Sequence, residues 1–308
     1  MSSSDLEEHA ANARGWMVDF RQLGRGRFAG TLAFAHSSDV QYGDHEWSPG
    51  LMVAGAAPRD TVTLGVWLQR APEARLRGEP FTDADIGVLR PGDDVDLRAF
   101  GPSRLFTVSL PQSRVERYLE AVLGQPLEDL SQQQRLVTDL TPGARRQQFA
   151  RIGVSHLYGQ PQHLVDPGIA TQLEEKVMHA LCVGVRLPRQ RARWSGSAAL
   201  ARRAEEFLAA NLERPTTIRD LCVAVGATER TLHDAFRRHF NASPKAHLKL
   251  LRLNAVHREL QRGEPGTTVT GVAMRWGFFH LSWFAQDYRR MFECTPSETL
   301  RVAMAGNE

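Results

Sequence analysis

The chain has 308 residues, 42% of them hydrophobic, and a formal net charge of +3. That length gives room for two domains with cores of their own, and no stretch approaches the roughly eighteen consecutive apolar residues of a membrane-spanning helix. The charge is unevenly held: residues 186–308 carry 20 Lys and Arg against 12 Asp and Glu, whereas residues 1–185 carry 18 against 23. A basic C-terminal part joined to an acidic N-terminal part suits a nucleic-acid reader attached to something that avoids nucleic acid. Cys182, Cys222 and Cys294 are widely spaced and form no CxxC pair, the pattern of buried, reduced thiols in a reducing compartment. The opening MSSSDLEEH is polar and acidic, unlike the basic and then apolar start of a secretion signal, so a cytoplasmic location is expected.

Residues 1–13 read as a tail. From about residue 14 to residue 110 the texture is strand and turn. Arg27 to His36 alternates, with Phe28, Gly30, Leu32, Phe34 and His36 on one face. Thr61 to Gln69 sets Val62, Leu64, Val66 and Leu68 against Thr63, Gly65 and Trp67. Short apolar runs at Ile86–Leu89 and Leu105–Leu110 flank turns such as Pro91-Gly92-Asp93-Asp94. Many short strands punctuated in this way predict a small antiparallel barrel or sandwich. The face of Trp67, or that of Phe34 and His36, is either plain core or the wall of a ligand cavity. Asp44-His45-Glu46 with His36 could sketch a metal site, but a paired His-x-His is missing and a solvated loop is expected there. No GxSxG elbow, no Cys–His pair in a recognisable context and no Gly-rich phosphate loop occurs. No catalytic residue, cofactor or metal ligand is therefore assigned, and the chain is not read as an enzyme.

Residues 111–185 turn helical. Ser113 to Leu123 would place Val115, Tyr118, Leu119 and Val122 on one side. Asp166-Pro167 supplies an N-cap and first-turn residue for a helix through about Leu187. In it Ile169, Leu173, Val177, Leu181 and Val185 form a stripe four residues apart. The stripe packs either on the chain's own barrel or as the seam of a homodimer. Arg186 to Arg193, RLPRQRAR, followed by Ser195-Gly196-Ser197, has the composition of a linker over 186–196. Ser197 to Leu212 reads as an amphipathic helix opening a domain over 197–308.

That domain contains a repeat. In its second copy a helix burying Val269, Val272, Ala273 and Trp276 breaks at Gly277-Phe278. A second helix follows, with Phe284, Tyr288, Met291 and Phe292 inside and His280, Ser282, Trp283, Gln286, Asp287, Arg289 and Arg290 outside. Two short helices about a tight glycine turn, the second exposing a polar and basic face, present a recognition helix to a DNA major groove. A shift of 52 positions pairs Leu232 with Phe284, Phe236 with Tyr288, Arg237-Arg238 with Arg289-Arg290, Phe240 with Phe292, Ser243-Pro244 with Thr295-Pro296 and Leu248 with Leu300. The first copy turns at Gly226-Ala227 and restarts with Thr228 as N-cap. Core, basic pair and helix-ending proline recurring together define an internal repeat.

These residues resemble the paired helix-turn-helix domain of the AraC/XylS family of bacterial transcription regulators. The linking stretch Ser243–Gly263 matches at Pro244, Leu248, Leu251, Arg252, Leu253, Ala255 and Leu260, and the second copy matches through GF, HL, FAQDYRRMF and TPSETLR. Within the family it is similar to the subgroup reading GF-x-HLGRFA-x-DYR, with Trp283 where that subgroup often has Arg. Arg230 and Asp234 also depart from the commonest choices. The resemblance implies an α+β chain: an N-terminal antiparallel β-barrel, cupin-like, with a helical dimerisation segment, over 1–185, and an all-α domain of two helix-turn-helix units joined by a linking helix. It implies double-stranded DNA, a small-molecule effector of unknown identity, a second copy of the chain and, for an activator, RNA polymerase as partners, and no membrane.

Exposed positions one turn apart nominate the base readers. Arg230 could fork onto guanine, Asp234 could accept from cytosine or pair with Arg230 or Arg238, and Thr231 and His233 lie beside them. In the second unit Ser282 and Gln286 face the groove one turn apart, Gln suiting adenine, and Trp283 either packs on a thymine methyl or sugar or caps the core. Thr228, Arg237, Arg238, His280, Arg289 and Arg290 are assigned to phosphate, where they set affinity and salt dependence rather than sequence preference.

Overall fold

The computed structural model describes residues 2–3, 6, 9, 16–37, 39–124, 135–141, 143–145, 147–148, 166–183, 185–186 and 196–306. The expected tail and linker lie almost wholly outside these residues. Contacts divide the chain into two units: Met1–Phe20, Ala29–Leu76 and Pro80–Arg193 in one, and Arg21–Phe28, Arg77–Glu79 and Trp194–Glu308 in the other.

The strands lie in two antiparallel sheets. The larger has the order β1 (Ser2–Ser3), β3 (Ala29–His36), β4 (Gln41–Ser48), β11 (Ser103–Leu110), β6 (Val62–Gln69), β9 (Asp85–Leu89), β12 (Arg135–Thr138) and β13 (Val185–Arg186). The smaller runs β2 (Met17–Gln22), β5 (Leu51–Ala56), β10 (Asp94–Ala99), β7 (Ala74–Leu76) and β8 (Glu79–Pro80). Helices α1 (Gln112–Leu123) and α2 (Pro167–Cys182) cover one face of the larger sheet: Val115 and Leu119, and Leu173, Val177, Met178 and Leu181, join Val62, Leu64, Val66, Phe106, Val108 and Leu110 in one core. The opposite face of β6 carries Thr63, Gly65 and Trp67, so both faces are covered and the strand reads as almost continuously apolar.

Five local expectations need correction. Along β3 burial passes from Leu32 to Ala35, while His36 is exposed, because the helix-side core takes Ala35. Asp44, His45 and Glu46 sit within β4 rather than in a solvated loop. Asp44 can stay there because Arg104 of the neighbouring strand grips both its oxygens, at 2.9 and 2.5 Å. Val122 of α1 is exposed. Helix α2 ends at Cys182, and Val185 belongs to a short strand paired to β12. The segment expected to be wholly helical thus also supplies the last two strands at one end of the larger sheet, since Leu136-Val137-Thr138 is too short for a helix and rich in β-branched residues. Asp166 caps α2 as expected, accepting from the Gly168 and Ile169 amides. Of its stripe, Leu173, Val177 and Leu181 are buried in the unit's own core and Ile169 is 44% exposed.

The second unit contains α3 (Gly196–Ala210), α4 (Ile218–Val225), α5 (Glu229–Phe240), α6 (Pro244–Arg262), α7 (Val269–Arg275), α8 (Leu281–Phe292) and α9 (Pro296–Gly306). It has two cores. Leu208, Leu221, Val225, Leu232, Phe236 and Phe240 make the first, and Val272, Ala273, Phe284, Tyr288, Phe292 and Leu300 the second. Helix α6 serves both, giving Leu248 and Leu251 to one and Leu253, Val256 and Leu260 to the other. Each buried aromatic or leucine contributes roughly 1.5–3 kcal/mol by leaving water. The short segments Arg21–Phe28 and Arg77–Glu79 also belong to this unit. The Asn254 amide accepts from the Gln22 N–H and donates to its carbonyl, at 2.9 and 3.1 Å, and the Gly26 N–H donates to the Met291 carbonyl.

Candidate nucleic-acid interface

The repeat read from side-chain pattern holds in the hydrogen bonds. Helix α5 ends on Asn241 and α8 on Glu293, both left-handed at φ 52° and 56° and 52 positions apart. Two residues on, the Ser243 hydroxyl accepts from the Ala246 N–H and the Thr295 hydroxyl from the Glu298 N–H, each at 3.2 Å. The two recognition helices therefore leave their cores by the same exit and hand over to α6 and α9 through the same cap.

The turns differ. Gly226 is left-handed, at φ 66°, and a methyl built there meets no atom within 4 Å. Thr228 then caps α5, accepting from the Thr231 N–H at 3.2 Å. Gly277 is also left-handed, at φ 80°, but a methyl there falls 2.9 Å from the Arg252 guanidinium. Arg252 in turn donates to the Leu212 and Arg214 carbonyls at 2.9 and 2.8 Å, and burial lowers its pKa. One side chain of α6 thus holds the loop before the first helix-turn-helix and lies against the turn of the second. His280 starts α8 without a side-chain cap.

The candidate DNA-facing residues are all on the surface. Arg230, Thr231, Asp234, Ser282, Trp283 and Gln286 are exposed and His233 is half-buried, 3.8 Å from Glu229. Among the described residues no ion pair joins Asp234 to Arg230 or Arg238, which leaves all three side chains facing solvent. Trp283 is 75% exposed, so of its two readings the core cap is excluded. Thr228, Arg237, Arg238, His280, Arg289 and Arg290 are exposed as well. Asp287, grouped with the polar face of α8, instead braces it: its carboxylate receives Lys249 of α6 at 3.0 Å and lies 3.9 Å from Arg290.

Sequence reasoning missed two features. Phe279, in the second turn, is 69% exposed, although its neighbour Phe278 joins the core; two adjacent phenylalanines offered no signal to tell them apart. The other is a cleft of about 660 Å³ lined by the N-caps Thr217 and Ser243, by Lys245, Lys249 and Arg252, and by Gly277. It combines helix N-terminal amides with lysines, the chemistry of a phosphate contact. Behind the second recognition helix runs a buried relay. His257 Nδ1 lies 2.5 Å from the Tyr288 hydroxyl, which donates to Thr299, whose hydroxyl reaches the Thr295 carbonyl. Burial lowers the His257 pKa to about 4 and pushes that of Tyr288 well up, so both are neutral near pH 7.

The first unit holds a cavity of about 80 Å³ between its sheets. His45, Trp47, Gly65 and Thr107 line it from the larger sheet, and Val53 and Leu97 from the smaller. The Trp67 face expected as core or cavity wall is here, with Trp67 itself 6.1 Å from Trp47 and donating its indole N–H to the Phe81 carbonyl. The Trp47 indole N–H is buried and, among the described residues, has no hydrogen-bond partner. A group left so costs roughly 1–3 kcal/mol. His45 lies 3.2 Å from the Thr107 hydroxyl, and burial lowers its pKa to about 3.

Comparison with known proteins agrees with the helix-turn-helix reading of the C-terminal unit. A helix-turn-helix domain family matches residues 221–301. The probable thc operon regulatory protein of Rhodococcus erythropolis is 29% identical over 211 residues, 65% of this chain and 62% of that protein. The XylDLEGF operon transcriptional activator of Pseudomonas putida is 30% identical over 100 residues, 32% of this chain and 31% of its own. A probable AraC family transcriptional regulator of Rhodopseudomonas palustris, known as a crystal structure, is 43% identical across 97% of its length and 34% of this chain, with a TM-score of 0.33. These relatives are named as regulators of transcription, not as enzymes, and the chain spans less than two thirds of the first two. No helix among the described residues is long and apolar enough to cross a membrane. With its two capped helix-turn-helix units in register and this sequence kinship, the chain belongs to the AraC/XylS family of transcription regulators.

Proposed function

We propose that the protein is a cytoplasmic, sequence-specific DNA-binding transcription regulator, and that a small molecule taken up by its N-terminal unit controls it. One observation carries the DNA reading: two recognition helices with solvent-facing polar surfaces, each ending in an exposed Arg pair at the same repeat position, share the linking helix α6. Arg230, Asp234, Ser282, Trp283 and Gln286 read base edges. Arg237, Arg238, Arg289 and Arg290, with the helix-start residues Thr228 and His280, hold phosphates. Successive major grooves on one face of B-DNA lie about 34 Å apart, so the operator is expected to be bipartite with that spacing.

The cavity between the sheets favours a ligand-responsive N-terminal unit over one that only dimerises or docks a protein. Much of the α2 stripe is spent on the unit's own core, which weakens the case for it as the seam of a homodimer. The function is tested by selecting genomic fragments with the full-length protein. A single enriched bipartite motif is expected; equal retention of all fragments would overturn the reading.

A further inference from the structure

The cavity between the two sheets has a definite chemistry, and the inference drawn from it rests on the proposed ligand-responsive reading. Among the described residues no Lys, Arg, Asp or Glu lines it. Its polar groups are few and mostly engaged: Thr63 bonds Ser109 at 2.7 Å, Trp16 bonds Gln41 at 3.3 Å and His45 bonds Thr107, while the His9 ring lies edge-on to Phe20 at 5.3 Å. The Trp47 indole N–H stands apart as a buried donor without an acceptor among the described residues.

Gly65 adds an independent sign. It sits mid-strand in β6 with no left-handed backbone to require glycine, and a methyl built there meets Thr107 Cγ2 at 3.7 Å, an ordinary contact. Gly43, two strands away, contrasts with it, since a methyl there would fall 2.5 Å from the Thr107 hydroxyl. Glycine weakens a strand, and one that packing does not demand marks a place where something else comes close.

We infer that the N-terminal cavity binds a small, neutral, largely apolar molecule bearing one hydrogen-bond acceptor, such as a carbonyl or ether oxygen, which takes the Trp47 N–H and lies over Gly65. An anion would lose its hydration and find no cation in exchange among the described residues, because burial holds both histidines of the lining, His9 and His45, neutral near pH 7. The size limit follows from volume: about 80 Å³ is less than the roughly 150 Å³ of a dry cavity that takes up benzene. The occupant is therefore of benzene size at most.

Full-length protein is titrated with cyclopentanone, cyclopentane and butanoate, followed by melting temperature and by tryptophan fluorescence. Cyclopentanone is expected to stabilise the protein dose-dependently, cyclopentane to bind roughly five- to tenfold more weakly for want of the acceptor, and butanoate to leave it unchanged. Trp47→Phe, which keeps the ring and removes the N–H, is expected to erase the preference for the ketone. Gly65→Leu is expected to abolish binding of both neutral probes, and Gly65→Ala, the milder filling, to weaken it. Butanoate binding as well as the ketone, Trp47→Phe keeping the preference, or no binding by either neutral probe would each overturn the assignment. The broader reading fails separately: it falls only if a wider panel of neutral, anionic and cationic metabolites also leaves the melting temperature unmoved.

Discussion

The two helix-turn-helix units have one interior and two different exteriors. Phe236 and Tyr288, Phe240 and Phe292, the left-handed exits at Asn241 and Glu293, and the Ser243 and Thr295 caps correspond position by position. The turns and the exposed faces do not. The first turn is open and its helix capped by Thr228, whereas the second is closed against Arg252 and its helix starts uncapped. The first face offers Arg230 and Asp234 and the second Ser282, Trp283 and Gln286. The cores fix how each recognition helix is held, and the faces are free to read different bases.

The largest effect should fall where the units agree. Phe240→Ala and Phe292→Ala, at paired positions of the repeat, are each expected to cost about 3–5 kcal/mol, because both rings are buried. Urea unfolding checks this, and losses below 1 kcal/mol in either unit would break the equivalence. The turns should then separate them. Gly226→Ala is expected to cost about 1 kcal/mol for the left-handed backbone alone. Gly277→Ala should cost about 2–3 kcal/mol, since the methyl also displaces Arg252 from its two carbonyls. Equal costs would show that Arg252 does not brace the second turn.

pH offers a third separation. The folded pKa of His257, about 4, lies below the unfolded value near 6.5, so the unfolded chain binds the proton more tightly. Its contribution is full above about pH 6.5 and is lost as pH falls towards 4, up to about 3 kcal/mol. His257→Gln should flatten the fall in stability over that window; an unaltered profile would remove the relay from the account. The caps give the smallest effect. Thr228→Ala should destabilise by about 1 kcal/mol, and His280→Ala, with no cap bond to lose, by almost nothing.

The C-terminal unit was legible because a helix-turn-helix declares itself locally: period, glycine turn, threonine cap and a repeated proline all lie within a few residues, although that proline, read as ending one helix, starts the next at Pro244 and Pro296. It was less legible where identity depends on neighbours. Asp287 looked like part of the reading face until Lys249 of α6 appeared beside it, and Phe279 could not be told from Phe278. In the N-terminal unit non-local pairing dominates. The Asp44–Arg104 cross-strand bridge keeps a polar run in β4, and β12 is recruited between β9 and β13 from a stretch whose surroundings read as helix. Alternation in β6 was visible, but that the Trp67 face meets a second sheet across a cavity depends on strands distant in sequence.

The central claim is that both units read bases, each its own half of one site. Fluorescence anisotropy on the selected operator tests it, with either half-site scrambled, for wild type, Arg230→Ala and Gln286→Ala. Wild type should lose about 1–3 kcal/mol of discrimination for each contact disturbed. Arg230→Ala should become less sensitive to one half-site only, and Gln286→Ala to the other only. Both variants losing affinity equally on operator and scrambled DNA would contradict the account, and would reduce the two faces to phosphate contacts.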